Sequence, residues 1–393
     1  MRVLFTSQPA LGHWHPLVPL ARALQAAGHH VAFASTPGFC PTIEAQGFPC
    51  YHVGLDETPD ELHKRIGHMS QLSMTERPIY MWQNIFAGIR STHSLPDLIN
   101  LIDDWHPDLT VSENTEMAAP LAAEHANIPH ATFQVTAART RVLNLIDEPY
   151  RRLCDLANLP ALRPEDVLHR YLLLFPRPLS FWDPSVPIPP TTHPFQYSGF
   201  DRSGEETLPD WVAHPPDRPT IYATLGTVNN NLTQLHSAIL DALRDEPINL
   251  ILTVGRNQDP LQFGEQPPNI HIERYIPQSL LLPHCDLAIT HAGSGTVMDA
   301  LSAGLPMVLI PIAADQPENA RLCVDLGIAR VISPDQRNPV AIREATLTVL
   351  RDTSYKQAAQ KLQQEMQSLP GLDYPVALLE KLAAQRTPLL ATQ

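Results

Sequence analysis

Residues 284–319 carry the pattern with the clearest chemical meaning in this chain. An apolar run, Asp286–Thr290, leads into a turn of small residues, His291–Thr296, and helical spacing continues to Ala303, where Gly304 is placed to end the helix. Leu305–Ile312 is a second apolar run. The first N–H groups of a helix have no intrahelical partner, and the helix dipole favours negative charge there. A strand, a glycine turn and a helix N-terminus therefore predict an anion site.

The same turn is partly similar to the motif of a dinucleotide-binding site. Gly293-Ser294-Gly295 begins like the motif G-x-G-x-x-G, and Asp315 follows about 20 residues later, where such folds keep the acid that binds the ribose. The third glycine position holds Met298, however, and a methionine there removes the close helix–strand packing that the motif needs. We therefore favour a phosphate turn of another kind over a site for NAD.

Two histidines near the N-terminus, His13 and His15, are the next candidates. Val3–Thr6 is predicted as a buried strand, Pro16 opens a helix and Val31–Ser35 is the next strand, so the chain begins β-α-β with a parallel sheet. His13 then lies in a loop at the carboxyl end of the first strand, which is the edge where open α/β sheets bind ligands. Its position alone is also compatible with an ordinary surface histidine.

Several uncommon elements follow one another between residues 275 and 320. They are Tyr275-Ile-Pro-Gln278, Leu282-Pro-His284, His291-Ala-Gly-Ser-Gly-Thr296, Asp299, Gly304-Leu-Pro306, Pro311, Asp315-Gln316 and Asn319-Ala320. This order resembles the donor-binding signature of family 1 glycosyltransferases, which move a sugar from a nucleoside diphosphate to a small acceptor.

The resemblance implies donor-binding roles. His291 and the turn Gly293, Ser294, Gly295 and Thr296 would hold the diphosphate, with Gly226 and Thr227 of an earlier small-residue turn as a further contact. Asp315 and Gln316 would bind the sugar hydroxyls, and the segment containing Tyr275, Ile276 and Gln278 would face the nucleoside. Two residues depart from the usual pattern. Tyr275 stands where a tryptophan often stacks on the base. Asp299 stands where many relatives have a glutamate that reaches the ribose, and its side chain is one methylene shorter than that of glutamate.

Gly12-His13-Trp-His15-Pro16-Leu-Val-Pro-Leu20-Ala21 is similar to the acceptor-side motif of the same enzymes. There the histidine after the glycine is the general base, which implies this role for His13, and imidazole suits it because its unperturbed pKa lies near neutrality. Such a base is commonly oriented by a carboxylate. Glu113, after the predicted strand Asp108–Ser112, is the candidate, and Glu116 is its competitor; either could instead be a solvated acid at a helix N-terminus.

Aromatic residues are the candidates for binding an apolar acceptor. Residues 55–100 and 134–200 are expected to line the acceptor cleft, although most of their apolar side chains are expected to be ordinary core. The residues singled out are Trp14, His15, Trp82 and Phe86.

Composition narrows the class of protein. The formal net charge of −14, without a basic run, argues against nucleic acid or an anionic membrane as a partner. Five cysteines without a C-x-x-C pair are interpreted as buried thiols in a reducing cytosol. The N-terminus lacks the features of a secretory signal, and no run of about 18 apolar residues occurs, so we expect a cytoplasmic protein without a membrane span.

A length of 393 residues favours two domains. We expect an α/β fold with two Rossmann-like, doubly wound parallel-sheet domains facing a cleft, the GT-B arrangement that the resemblance implies. Residues 1–200 would bind the acceptor, 201–218 would be a linker and 219–375 would bind the nucleotide sugar. The tail, about 376–393, would pack back on the first domain, as it does in the family.

The predicted function is inverting transfer of a sugar from a UDP or dTDP donor to a hydroxyl of a small apolar acceptor, such as a polyketide, a flavonoid or another phenol. No D-x-D motif and no H-E-x-x-H spacing occurs, so we expect no metal and no cofactor besides the donor. The oligomeric state stays open between monomer and homodimer. The alternative is an auxiliary binding protein that keeps the fold without turnover.

Overall fold

The computed structural model describes residues 1–73, 76–136, 143, 145–201, 207–213, 217–226, 232–255 and 258–391. The chain forms two compact units, of which the first combines Met1–Ser198 with Leu369–Gln393 and the second is Gly199–Ser368. The second unit is thus inserted between two segments of the first. Residues 201–218, predicted as a linker, fall within the second unit.

The first unit is built on a parallel sheet with strand order β3-β2-β1-β4-β5-β6-β7. Its strands are β1 (Arg2–Thr6), β2 (His30–Ser35), β3 (Cys50–His52), β4 (Leu109–Glu113), β5 (His130–Phe133), β6 (Leu172–Phe175) and β7 (Thr192–Pro194). Apolar runs form the central strands because both faces are covered by helices; Val3, Leu4 and Phe5 of β1 are fully buried.

Helices cover this sheet, and one of them is irregular. The α-helices are Leu11–Trp14, Val18–Ala26, Cys40–Glu44, Pro59–Gln71, Glu76–Tyr80, Ser91–Trp105, Ala118–His125, Asp147–Leu156, Pro164–Leu168 and Asp373–Gln385. Met81–Arg90 is a π-helix with a kink at Gly88, whose ψ is −109°. The last helix, near the C-terminus, packs on Val18–Ala26, and His29 Nε2 lies 2.9 Å from Glu380 Oε1.

The second unit repeats this plan with strand order β10-β9-β8-β11-β12-β13, again all parallel. Its strands are β8 (Thr220–Thr224), β9 (Asn249–Thr253), β10 (Ile270–Glu273), β11 (Leu287–Thr290), β12 (Met307–Leu309) and β13 (Ala329–Val331). Its α-helices are Asp210–Ala213, Thr233–Leu243, Gln278–Leu281, Ser294–Ser302, Gln316–Asp325, Pro339–Arg351 and Thr353–Ser368. The predicted class, two doubly wound parallel-sheet domains, is confirmed.

Each sheet has a topological switch point where the chain turns from one side of the sheet to the other. It lies between β1 and β4 in the first unit and between β8 and β11 in the second. A crevice opens beyond the carboxyl ends of the strands at such a point, which is where ligands bind in open α/β sheets. His13 follows β1 and His291 follows β11, so each sheet brings one predicted site to its switch point.

Three local predictions need comment. The interpretation of all five cysteines as thiols is wrong, because Cys40 and Cys50 form a disulfide with a Cα–Cα distance of 5.5 Å, whereas Cys154, Cys285 and Cys323 are buried and take no part in it. His13 lies in the short helix Leu11–Trp14 instead of a loop. Among the described residues no helix has the length and apolar character to cross a bilayer, and a cytoplasmic location stays a prediction.

Candidate active site

His13 and Glu113 meet at the switch point of the first sheet. β1 and β4 pair in parallel with Thr6 opposite Ser112, so the residues that follow these two share one edge. Nδ1 of His13 lies 3.1 Å from Oε1 of Glu113. The side chain of His13 is 22% exposed and that of Glu113 is fully buried. The result is a solvent-accessible imidazole held by a buried carboxylate.

Glu113 is surrounded by hydrogen-bond donors. Its Oε2 accepts from the Thr115 backbone N–H at 2.7 Å, and its Oε1 accepts from the Thr115 hydroxyl at 2.6 Å and from the Gln8 backbone N–H at 3.2 Å. Burial acts to raise the pKa of Glu113, but the charge of His13 and the hydrogen bonds from His13 and Thr115 outweigh it, and the pKa lies below its usual value. Glu113 is therefore ionised at neutral pH.

Glu116, the competing acid, has a different environment. It accepts hydrogen bonds from the backbone N–H groups of Ala118 and Ala119 at 3.0 and 2.9 Å and from the Thr6 hydroxyl at 3.0 Å. It thus binds the first N–H groups of helix Ala118–His125. Burial raises its pKa, and these hydrogen bonds only partly oppose the rise. The structure therefore places Glu113, and not Glu116, against His13.

Of the aromatic acceptor candidates, Phe86 has its ring beside that of His13, with a distance of 6.0 Å between the two ring centroids. Trp82 is 6% exposed and packs edge-on behind Phe86, and Trp14 is 1% exposed and packs edge-on against core phenylalanines. Buried rings have no surface to offer a ligand, so we withdraw both tryptophans as acceptor contacts. The half-buried ring of His15 lies beside Trp14, with 5.3 Å between the ring centroids.

A cavity of about 900 Å³ opens in the first unit. Its wall includes Pro9 from the segment that leads to His13, Phe39 after β2, residues of helix Pro59–Gln71, and Ile85 and Ile89 on either side of Phe86 in sequence. A cavity of this size accommodates a drug-sized molecule.

In the second unit, His291 is enclosed by two glycines. A Cβ atom at Gly226 would lie 2.5 Å from Cε1 of His291, and one at Gly293 would lie 2.5 Å from its Nε2. Gly226 also has φ +81°, which a side chain disfavours. Both glycines are therefore needed for the imidazole to occupy this position at the switch point.

His291 is neutral in this position. Burial lowers its pKa to about 4, and the charge of Asp315 only partly opposes the shift. Next to it, helix Ser294–Ser302 begins after Gly293 without a side-chain cap. The backbone N–H groups of Ser294, Gly295 and Thr296 occupy the uncapped first turn, which is the donor geometry predicted for an anion.

Asp315 and Gln316 follow β12, and an asparagine connects them to the turn. Asn319 Nδ2 donates to Asp315 Oδ2 and to the carbonyl of Ala292, both at 3.0 Å. The carbonyl oxygen of the Gln316 side chain accepts from the N–H groups of Ile312 and Ala313 at 2.7 and 2.8 Å. The side-chain oxygen of Gln316 is therefore already used within the chain, and the group that remains for a sugar hydroxyl is its side-chain NH₂.

The remaining donor candidates are less closely grouped. Tyr275 is half-buried and its hydroxyl donates to the backbone carbonyl of Asp201. Ile276 is 3% exposed, so its side chain is not available to a ligand, and Gln278 is partly buried at the start of helix Gln278–Leu281. Asp299 lies in the second turn of helix Ser294–Ser302. Thr227 lies outside the described residues.

Comparison with known proteins identifies the family. Residues 22–226 match the N-terminal domain, and residues 237–383 the C-terminal domain, of proteins described as erythromycin biosynthesis protein CIII-like. The chain is 30% identical over 409 residues to the L-demethylnoviosyl transferase of Streptomyces niveus, and 30% identical over 423 residues to the 10-deoxymethynolide desosaminyltransferase of Streptomyces venezuelae; 98% of each chain is covered in both cases. The chain belongs to this family of glycosyltransferases.

Solved structures agree with the fold. The spinosyn rhamnosyltransferase SpnG complexed with thymidine diphosphate has a TM-score of 0.80 to this glycosyltransferase at 24% identity, over 97% of this chain and 100% of that one. At this identity the likeness shows the GT-B fold alone. The predicted family 1 membership and fold are confirmed.

Sequence reasoning missed four residues of this glycosyltransferase site: Gln8, Arg90, Thr115 and Asn319. Thr115 and Gln8 hold Glu113, Arg90 donates to the Gln8 side chain, and Asn319 connects Asp315 to the turn. Asn319 occurs in the donor signature and was available as a signal. Arg90 was not, because only the folded chain brings it to Gln8, 82 residues away.

Proposed function

We propose that this glycosyltransferase transfers a sugar from a dTDP or UDP donor to a hydroxyl of a small apolar acceptor, with inversion at the anomeric carbon. The observation that carries the proposal is the contact between His13 and the buried, ionised Glu113 at the switch point of the first sheet. A carboxylate on Nδ1 favours the tautomer with the proton on that nitrogen, which leaves Nε2 to accept a proton.

In the proposed reaction, Nε2 of His13 removes the proton of the acceptor hydroxyl while its oxygen forms a bond to the anomeric carbon. The bond from that carbon to the diphosphate oxygen breaks in the same displacement. Glu113 stabilises the imidazolium that forms. A single displacement from the face opposite the leaving group inverts the configuration.

The donor is assigned to the second unit. The uncapped N–H groups of residues 294–296 would stabilise the departing diphosphate with the helix dipole, and neutral His291 would add a hydrogen bond without a charge. Asp315 and the amide of Gln316 would bind sugar hydroxyls. Thymidine diphosphate in the SpnG structure supports dTDP as one candidate donor nucleotide.

The acceptor is assigned to the cavity beside Phe86. The name of the desosaminyltransferase relative gives 10-deoxymethynolide as its acceptor, which supports a natural product of similar bulk here. Hydroxylated polyketides, flavonoids and other phenols are the candidates, and Phe39, Ile85 and Ile89 in the cavity wall offer apolar contacts to them.

The test is a mass-spectrometric screen of the protein with UDP- and dTDP-sugars and hydroxylated apolar acceptors. Product formation, with NMR coupling constants that show inversion, supports the proposal. His13→Ala should lower turnover by about 10²–10⁴-fold with folding intact, the usual contribution of a general base. His15→Ala is the matched control and should keep most of the turnover.

Two further results decide between mechanisms. Because the sequence has no D-x-D motif, a chelator should leave the saturated rate unchanged; a rate that collapses and returns with Mg²⁺ would contradict the metal-free mechanism. Calorimetric binding of a nucleotide sugar without turnover of any acceptor would instead favour the auxiliary-protein alternative.

A further inference from the structure

The cavity of the first unit carries charged residues as well as apolar ones. Its wall includes three carboxylates, Asp56, Glu57 and Glu61, and three cations, Lys64, Arg65 and Arg90. A partly buried charge without a partner costs free energy. A charged side chain of the wall that has no partner of opposite charge therefore indicates which charge a ligand could supply.

The carboxylates of the wall already have partners within the chain. Asp56 accepts a hydrogen bond from the backbone of Gly38 at 2.8 Å, and Glu61 accepts from the backbone and hydroxyl of Thr58. Glu57 binds Arg65 through both of its oxygens, at 2.6 and 2.8 Å. This bidentate pair also satisfies the charge of Arg65.

Arg90 is different. It is half-buried at the end of the π-helix Met81–Arg90, and within the described residues its side chain makes one hydrogen bond, from a terminal nitrogen to the neutral Oε1 of Gln8 at 2.9 Å. Within the described part of the chain no carboxylate lies within 4.0 Å of this guanidinium. The charges that act on it from further away are those of Arg65, Glu57 and Glu113. A guanidinium has five N–H donors, so most of the donors of Arg90 have no partner among the described residues.

The position of Arg90 connects the cavity to the dyad. Gln8 is 3% exposed; it accepts from Arg90, donates through its backbone N–H to Glu113 and donates through Nε2 to the Thr115 carbonyl at 3.0 Å. A ligand group held by Arg90 would therefore be connected to His13 by hydrogen bonds through Gln8 and Glu113.

We propose that Arg90 determines acceptor specificity by binding an anionic oxygen of the acceptor, such as a carboxylate or an ionised enol or phenol, separate from the hydroxyl that is glycosylated. This inference rests on the proposed function for the identity of the cavity as the acceptor site. A planar guanidinium matches a carboxylate in two parallel hydrogen bonds, and apolar walls around it strengthen the pairing.

The experiment compares two probes that differ at one group, a dihydroxyanthraquinone carboxylic acid, which is an anion at neutral pH, and its uncharged methyl ester. Dissociation constants are measured by calorimetry without donor, for the wild type and for Arg90→Met, Arg90→Lys and Lys64→Met. The wild type should bind the acid about 10–100-fold more tightly than the ester, the range expected from a hydrogen bond to a charged group. Arg90→Met should bring this ratio to about one.

The controls separate recognition from structure. Lys64→Met removes a cation of the same wall that does not bond Gln8, and it should keep the preference for the acid. Arg90→Lys keeps the charge but loses the planar fork, so it should keep part of the preference. Unfolding temperatures of all variants show whether each is folded, and a general loss of structure in Arg90→Met would weaken acid and ester alike.

Equal binding of acid and ester by the wild type overturns the inference, as does a preference that survives in Arg90→Met or disappears in Lys64→Met. These binding ratios do not depend on sugar transfer. If the proposed function failed, the protein would transfer no sugar to either probe while the dependence of the binding ratio on Arg90 persisted.

Discussion

Replacing Glu113 by glutamine tests the dyad most directly, because the change keeps the shape of the side chain and removes its charge. Glu113 receives donors at both oxygens: Thr115 N–H at Oε2, and the Thr115 hydroxyl and Gln8 N–H at Oε1, where His13 Nδ1 also lies at 3.1 Å. An amide has one oxygen, so in Glu113→Gln one end of the new side chain must present N–H groups to these donors.

Each orientation of the amide lowers turnover for a different reason. With the nitrogen toward His13, it donates to Nδ1 and forces the proton onto Nε2, where a base cannot accept another; an Asp→Asn change of this kind in the serine-protease triad costs about 10⁴-fold. With the oxygen toward His13, the tautomer survives but the imidazolium loses its counter-charge, worth about 1.5–3 kcal/mol or roughly 10–100-fold. We therefore expect kcat to fall between about 10-fold and 10⁴-fold.

Steady-state rates with saturating donor and acceptor measure the effect, and calorimetric titration with the donor should show nearly unchanged affinity. Glu116→Gln is the control: it removes the charge from an equally buried acid that binds Ala118 and Ala119 N–H groups, so it should lower stability and leave kcat within about threefold. Normal turnover by the Glu113 variant, or a larger loss in the Glu116 variant, would refute the assignment.

Three further predictions concern the second unit and the disulfide. Gly293→Ala should displace His291 and weaken nucleoside diphosphate binding at least about tenfold. In a protein that already carries His291→Ala, the same change should weaken binding little further, because the clashing ring is gone. Calorimetric titrations in which the two losses of affinity add up would contradict this steric explanation. His236 is 1% exposed with both ring nitrogens unbonded in the described structure, and burial lowers its pKa from 6.5 to about 4. Between these values the unfolded chain holds a proton that the folded chain does not, so stability falls as the pH is lowered through this window, by up to about 3 kcal/mol. His236→Leu should make this dependence less steep, while His291, whose pKa burial also lowers to about 4, keeps part of it; urea midpoints that keep the full wild-type slope against pH would disprove the contribution of His236. Replacing Cys40 and Cys50 by serine should lower the free energy of unfolding by about 2–3 kcal/mol and abolish the effect of reductant; a wild type indifferent to reductant would argue against the bond.

Contacts that follow from local pattern and sheet geometry could be predicted from the sequence. Apolar runs identified the strands, and because carboxyl ends of parallel strands share an edge, His13 and Glu113 could be expected to approach across 100 residues. The choice between Glu113 and Glu116 could not be made, since both acids follow the same strand. It depends on β4 ending at Glu113 and on Glu116 binding the first N–H groups of the next helix.

Features that depend on irregular backbone, or on packing between residues far apart in the sequence, could not be predicted. The π-helix Met81–Arg90 places Phe86 beside His13 and Arg90 beside Gln8, but its apolar spacing is that of an ordinary amphipathic helix. Trp14 was predicted to contact the acceptor because it is a large aromatic residue beside His13. It is instead buried, because the short helix Leu11–Trp14 directs its side chain into the core. The spacing of Cys40 and Cys50 carries no signal for their pairing.

The insertion of Gly199–Ser368 into the first unit has a consequence for biosynthesis. All residues of the second unit leave the ribosome as one continuous segment, so it can finish folding while the first unit still lacks helix Asp373–Gln385, which packs on Val18–Ala26. Premature termination near Ser368 would therefore spare the second unit and leave the first unit incomplete. An exchange of the second unit between relatives likewise requires two junctions, one near Ser198 and one near Ser368.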